Sequence, residues 1–457
     1  MSSSLEQQAR ESAPVDPDAP VRSGTRGRTI RFRPYNVGRW VIWGGTALLF
    51  AVMPFVFTSG FAITLMSQMG ILIIFALAYN MIFGQGGMLS FGHAVYSGLG
   101  AYFAVHTLNR VAAGTFFLPA SPISVMLLPL VGGVFGAFFG VLFGYLTTRK
   151  AGTAFAMITL GLVEMVFAAA WIFTGFFGGE GGISTNRVMG QPVLGITFGP
   201  SIQVYYLIAA WCFLSMIAMY AFAHTPLGRI SNAVRDNPER AEFIGYNTQR
   251  VRWFVLIASG FFAGISGGLS VISYEIVTAE NVSAVRSAVP LLAAFIGGSM
   301  FFFGPILGAV IVDIFAVALV HYTKAWQFYL GTFFVLIVMF APGGVASLIL
   351  MNLRVIKYGL FWRLRDPYVG VLLTGLVLLL GIIMVIEMGY QLTLEWTTRM
   401  SLFGFQVDAA SPELWVIAIG LIVGGGLGFE VMRRYFRREW GAVQEQIEEQ
   451  VARELKL

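Results

Sequence analysis

Apolar residues run along this chain in long blocks, and the polar residues between them come in short bursts. Blocks such as 40–57, 71–83 and 369–387 are nearly free of charge. A bilayer core about 30 Å thick takes about 20 such residues in a helix. Inside lipid every backbone N–H and C=O needs a partner, which only helices and closed barrels supply. Barrel strands alternate apolar and polar positions, and these blocks do not alternate. The pattern predicts an all-α, polytopic transmembrane bundle. Read by hydropathy, the spans fall at residues 40–57, 61–83, 87–108, 125–147, 153–176, 204–223, 253–274, 288–301, 304–320, 328–340 (extending toward 350), 369–388 and 414–432. That is about twelve spans. Block 288–301 is short, and 87–108 is unusually rich in Gly, Ser, His and Tyr.

Composition supports a membrane solvent. The chain has 457 residues, 57% hydrophobic and only 11% charged, with a mean hydropathy of +0.76. A soluble protein carries about 25% charged residues. Charge placement then tests the topology. With the N-terminus inside and the spans alternating, five segments face the cytoplasm: 1–39, Arg149-Lys150, 224–252, 354–365 and the tail from Arg433. They hold all but five of the 29 lysines and arginines. The exceptions are Arg110, Arg187, Arg286, Lys324 and Arg399. This is the bias of the positive-inside rule, and a miscounted span would scramble it. Both termini are expected to be cytoplasmic. The net charge of +6 follows from topology, with no need for nucleic acid as a partner.

Residues 1–39 are polar, basic and carry Pro14, Pro17 and Pro20. They read as a disordered cytoplasmic tail, too long and polar for the start of a cleaved signal peptide. The first span then serves as an uncleaved signal-anchor. Cys212, the sole cysteine, lies in an apolar run and reads as a small core hydrophobe.

The polar loop 224–252 carries most of the local information. Thr225-Pro226 is an N-cap followed by proline at the first helical position. Asn237-Pro238-Glu239 repeats the signal, and Gly245 suits a helix stop. Two short surface helices are expected. A plain connector needs only a few residues, so this loop has the size and polarity of a docking element.

Catalytic chemistry is not in evidence. The four histidines, at 93, 106, 224 and 321, lack metal-ligand spacing, and no triad or carboxylate pair stands out. No Gly-Lys-Ser or Gly-Lys-Thr occurs, hence no P-loop. The chain is not expected to be an enzyme or to bind a cofactor or metal. ATP, if used, is used by another subunit. Polar residues within the spans are the other candidates, because burying them in lipid is costly. Asn80, Gln85, Ser90, His93, Ser97 and Glu164 are candidate lining for a solute pathway. The competing reading of such residues is a satisfied interhelical hydrogen bond, which is favoured for Glu164 and His93 and more strongly for Asp313. An alternative function is an ion-coupled secondary transporter, with Glu164 or Asp313 as the proton-carrying group. Segments 86–100 and 260–269 are both Gly/Ser-rich, either an echo of an inverted repeat or ordinary small-residue packing.

Several segments carry a family resemblance. Glu239-Arg240-Ala241, followed after three residues by Gly245, resembles the EAA motif of bacterial ABC-importer permeases, with Arg240 where Ala is usual. Pro226-Leu227-Gly228-Arg229, Ala233-Val234-Arg235-Asp236-Asn237 and Ile244-Gly245 resemble the cytoplasmic loop of LivM-type permeases of branched-chain amino acid importers. So do NMIFGQGGMLSFGHAVYSGLG over 80–100, FAMITLGLVE over 155–164 with the glycine run 178–182, and Gly297-Gly298 through Gly304-Pro305-Ile306-Leu307-Gly308-Ala309. The resemblance covers about residues 40–350. It implies an ABC-importer permease core there, with two added helices in 351–432 and a charged cytoplasmic tail in 433–457. It also implies a LivH-type permease partner, two ATPase subunits and a periplasmic solute-binding protein in a bacterial inner membrane. By the same resemblance, Arg235, Asp236, Glu239, Ala241 and Gly245 are the expected ATPase-coupling positions.

Overall fold

The computed structural model describes residues 37–116, 119–193, 195–393, 399–402 and 405–456. The tail expected over 1–39 lies, up to residue 36, outside the described residues. The chain divides into two compact units, one ending at Phe50 and one beginning at Ala51. In the first, the described residues open helix α1 (Val37–Val56), where Trp40, Val41, Ile42 and Leu48 are exposed.

The second unit is helical almost throughout. It runs α2 (Gly60–Asn80), α3 (Ala94–Ala112), α4 (Pro122–Thr147), α5 (Thr153–Ile172), α6 (Ser201–His224), α7 (Pro226–Asp236), α8 (Pro238–Phe243) and α9 (Thr248–Tyr274). Then follow α10 (Ala284–Gly297), α11 (Gly304–Asp313), α12 (Trp326–Phe340), α13 (Gly344–Lys357), α14 (Arg365–Thr393) and α15 (Pro412–Lys456). Two short antiparallel pairs complete it: β1 (Ile183–Ser184) with β2 (Ile276–Val277), and β3 (Arg399–Leu402) with β4 (Phe405–Asp408).

Glycine sets how closely the central helices approach. Lipid gives helices no hydrophobic reason to associate, so small residues that admit close backbone contact decide the packing. On α4, Gly132, Gly136 and Gly140 face α9, which answers with Gly260, Gly264 and Gly268. A Cβ on Gly260 would lie 2.8 Å from the Gly136 carbonyl oxygen, and one on Gly264 would overlap that of Gly132. Helix α3 joins through Gly100, whose Cβ would sit 2.9 Å from the Cα of Gly264. The two Gly/Ser-rich segments of the sequence therefore meet each other, which is the small-residue packing reading. Helix α2 threads this group, and its residues from Gly70 to Asn80 are all buried.

Among the described residues, eight helices are long and apolar enough to cross a membrane, and a bent pair would make a ninth. The eight are Gly60–Gln85, Pro122–Thr147, Thr153–Ile172, Ser201–His224, Thr248–Tyr274, Gly304–His321, Phe361–Thr393 and Pro412–Arg453. Four blocks of the twelve-span reading look different here, the first being block 40–57, whose apolar helix Trp40–Val56 is shorter than the eight. Block 288–301 becomes the 14-residue α10, about 21 Å long at 1.5 Å per residue and too short to span alone. Block 87–108 turns helical only at Ala94. The tenth block is broken into α12 and α13, bent by 52°. The bend centres on Gly344, whose φ is +69° and where a Cβ would lie 2.5 Å from the Cα of Gly298. A hydropathy profile registers apolar content, and a bend leaves that content unchanged.

The C-terminal helices form a hairpin, α14 against α15. Met384, Met388, Ala409 and Ala418 fill its end near the β3–β4 pair. Val443 and Ile447, from the charged end of α15, pack with Val355 and Leu364. The expected tail over 433–457 is thus helical through Lys456 and continuous with the preceding span.

Candidate functional site

The 224–252 loop folds as its capping residues dictate. The Thr225 hydroxyl accepts from the Gly228 N–H at 3.2 Å, opening α7. Asn237 Oδ1 accepts from the Arg240 N–H at 2.9 Å, opening α8. Helix α8 closes in a Schellman motif: Tyr246 N–H donates to the Ala241 carbonyl at 3.1 Å and Gly245 N–H to that of Glu242 at 2.9 Å. Gly245 takes φ +94° there, a conformation that favours glycine. Val234, Ala241 and Val251 form a small core beneath the loop, with Leu227 and Ile230 against it. Thr248 donates to Glu242 at 2.7 Å and ties α8 to the start of α9.

The five expected coupling positions separate on this frame. Asp236 and Glu239 are exposed. Ala241 is 2% exposed and belongs to the loop's core. Gly245 sets the turn. Arg235 is directed to the bundle: its guanidinium donates to the Gly84 carbonyl and to Asp236 Oδ1 at 2.9 Å. Sequence reasoning missed the loop's apolar tip, where Phe243 is 90% exposed, with Ile244 and Tyr246 also open. The visible signal was Phe-Ile-Gly-Tyr in an otherwise polar segment. Beside the tip lies a cavity of about 420 Å³ lined by His224, Pro226, Arg229, Ile230 and Tyr246.

Arg235 reaches a specific feature of α2. That helix ends in a π-helical turn, Met81–Gln85. Carbonyls in the last turn of a helix lack intrahelical donors. Two of them are met by α7: Gly84 by Arg235, and Gln85 by the Ser231 hydroxyl at 3.4 Å. Gly87, at φ +65°, lets the chain pass under Arg235, since a Cβ there would be 2.5 Å from Arg235 Cγ.

Beyond this turn the chain re-enters the bundle through a buried polar cluster. His93 is fully buried, stacked on Phe75 at 5.7 Å and edged by Tyr79 and Tyr96 at 5.5 and 5.6 Å. The Tyr79 hydroxyl donates to the Ser90 carbonyl at 3.1 Å, and Ser90 Oγ accepts from the Gly92 N–H at 3.3 Å. The Ser259 hydroxyl donates to the Ala78 carbonyl at 2.5 Å and lies 3.3 Å from His93 Nε2. A hydroxyl has one proton, so His93 Nε2 is the donor in that second pair. The Nδ1 atom of the neutral ring is then an acceptor, and no donor meets it among the described residues. Asn80 Oδ1, Gln85 Oε1 and Tyr96 Oη share that condition. Ser97 bonds Ser266 at 3.2 Å, farther along the same helix seam. Asn80, Gln85, Ser90 and His93 thus belong to one stretch of chain around the end of α2. Glu164 is not with them: it is exposed on α5. Asp313 is buried at the end of α11, just before a second π-helical turn, Ile314–Ala318. Ser259 is the member that sequence reading missed, one residue before its Gly/Ser segment.

The loop and the polar cluster both lie within the part of the chain that known proteins share. The family model described as branched-chain amino acid transport system / permease component matches residues 61–343. It runs from α2 to the bend before α13 and leaves out α14 and α15. The high-affinity branched-chain amino acid transport permease LivM of Escherichia coli is 27% identical over 297 residues, 60% of this chain and 67% of its own length. The probable branched-chain amino acid transport permease LivH of Methanocaldococcus jannaschii is 25% identical over 300 residues, 64% of this chain and 88% of its own. The fructose import permease FrcC of Rhizobium meliloti is 24% identical over 280 residues, 58% and 72% of the two chains. No solved structure gives a significant match. This multi-pass membrane protein belongs to the family of permease components of branched-chain amino acid transport systems.

Proposed function

We propose that the chain is a permease subunit of an ATP-driven (ABC) importer that moves branched-chain or related amino acids across a bacterial inner membrane. The reading rests chiefly on one observation: a rigid, capped surface loop bonds through Arg235 and Ser231 to the helix end that carries the buried polar cluster. An ATPase pushing on α7 and α8 would move Gly84 and Gln85 with them, and two-state elements of this kind switch access from one side to the other. Phe243, Ile244 and Glu239 would form the docking contact, an apolar anchor beside a charge. Asn80, Gln85, Ser90, His93 and Ser97 would supply polar groups to the pathway.

The full assembly in this reading holds a LivH-type permease, two ATPase subunits and a periplasmic solute-binding protein. ATP is bound by the partners, and this chain carries no cofactor. Residues 40–350 form the permease core, 351–432 the added hairpin, and 433–457 a cytoplasmic end. Charge reversal at Glu239 tests the reading in proteoliposomes with the partners present. Glu239→Lys should lose both ATPase assembly and uptake of labelled leucine. Unchanged assembly and uptake would count against it. Uptake that survives removal of the ATPase and collapses with the proton gradient would establish ion coupling instead.

A further inference from the structure

Helix α5 is amphipathic in an unusual sense. Phe155, Ala156, Thr159, Val163, Val166 and Ala170 form one buried stripe at helical spacing. The opposite stripe, Met157, Gly161, Glu164, Met165, Ala168 and Trp171, is exposed. Glu164 is the twelfth residue of a 20-residue helix. At 1.5 Å per residue it sits about 17 Å along about 30 Å, near mid-bilayer.

A carboxylate at that depth is costly, and such groups almost always face a bundle interior or pair with another group. Three other carboxylates, set away from the ends of the apolar stretches, follow the rule. Asp313 is buried. Glu387 accepts from Thr323 at 2.6 Å and Tyr329 at 2.8 Å. Glu430 pairs with Arg433 and Arg434 at 2.6 and 2.9 Å. Of these four, Glu164 alone faces outward with no bonding partner among the described residues. Acyl chains offer no donor, and a donor carried by another membrane-embedded helix is the partner that fits such a face.

Small residues flank it. A Cβ on Gly161 would meet nothing within 4 Å, whereas every seam glycine of α4 and α9 meets a neighbouring helix. Gly161 and Ala168 leave room for another helix to approach Glu164 closely. The face is also connected inward. The Thr159 hydroxyl, on the buried side of the same helix, accepts from the Phe91 N–H at 3.1 Å, next to the His93 cluster.

We propose that the exposed face of α5 over residues 157–168 seats the second permease subunit, which supplies a hydrogen-bond donor or a cation to Glu164. This rests on the importer reading and adds where the two permeases meet. The seam would then border the polar segment 86–93 through Thr159.

The test uses the complete transporter in membranes, with a photoreactive benzoylphenylalanine placed singly at Gly161, at Met165, or at Val134. Val134 is a control, 58% exposed on α4. Positions 161 and 165 should cross-link to the second permease, and position 134 should not. Glu164→Gln keeps a hydrogen-bonding group and should retain the partner, while Glu164→Arg should lower the copurified second permease about tenfold or more. Cross-links from 161 and 165 to lipid alone, to a second copy of this chain, or no more often than from 134, overturn the proposal while the second permease still copurifies. If the wild-type chain copurifies with no second permease, the importer reading itself falls.

Discussion

The guanidinium of Arg235, on the surface helix α7, donates to the carbonyl oxygen of Gly84, at the end of the membrane helix α2. The bond is long-range in sequence and connects two elements that hydropathy treats as unrelated. Asp236 holds the same guanidinium from the other side at 2.9 Å. Removing the side chain leaves a helix-end carbonyl unsatisfied and cuts the main polar contact between loop and bundle. A hydrogen bond to a charged group contributes about 1.5–3 kcal/mol. Arg235→Ala should therefore lower uptake about tenfold or more while ATP hydrolysis continues. The ratio of solute moved to ATP hydrolysed, measured in proteoliposomes, reads this directly. A parallel fall in both would show that the bond serves folding alone.

Phe243 makes the opposite prediction. At 90% exposure it contributes little to the fold of this chain. Burying a phenylalanine fully against a partner stabilises by about 1.5–3 kcal/mol. Phe243→Ser should leave thermal stability within about 0.5 kcal/mol and weaken ATPase binding at least about tenfold. Titration of the ATPase onto detergent-solubilised transporter measures it.

The glycine seam predicts large effects from small additions. A methyl group on Gly264 would overlap the Gly132 carbonyl oxygen, and neither backbone can yield without moving its helix. Gly264→Ala should destabilise by about 1–3 kcal/mol. Gly420, within α15, has open space at its Cβ, so Gly420→Ala should be neutral or slightly stabilising. Thermal unfolding of the two variants in the same detergent checks the contrast.

Arg187 closes the end of the bundle opposite the α7–α8 loop. It donates to the carbonyls of Phe198 at 2.7 Å, Ile272 at 3.1 Å and Ser273 at 3.3 Å, and pairs with Glu275 at 3.5 Å. Two of those carbonyls belong to the last turn of α9. Arg187→Ala should cost about 2 kcal/mol or more. Arg187→Lys should not restore the loss, because an ammonium cannot serve several carbonyls in a fixed fork. A melting temperature that Lys restores fully would contradict this account.

What could be read from the sequence was short-range. Thr225-Pro226, Asn237-Pro238 and Gly245 announced α7, α8 and the stop between α8 and α9, because capping depends on neighbours in the chain. Long apolar runs announced helices for the same reason. Orientation was not legible. Glu164 and His93 are both polar residues in apolar surroundings, yet one faces outward and the other is enclosed by three aromatic rings. Ala241 stood inside a motif that suggested surface contact, and it is buried because Val234 and Val251 close over it. The bend at Gly344 depends on its fit against Gly298, 46 residues away in sequence, which no local pattern encodes.

Helix α15 runs unbroken for 45 residues, about 68 Å at 1.5 Å per residue. That is more than twice the bilayer core of about 30 Å. Its stretch after Arg433 alone is about 35 Å long. With no break at the membrane surface, the helix acts as a lever. A tilt of about 10° within the bilayer would swing its far end by about 6 Å. Val443 and Ile447, packed on Val355 and Leu364, brace that arm against the end of α13. Movements of the permease core that reach α13 would thus be delivered, enlarged, to a charged surface outside the membrane.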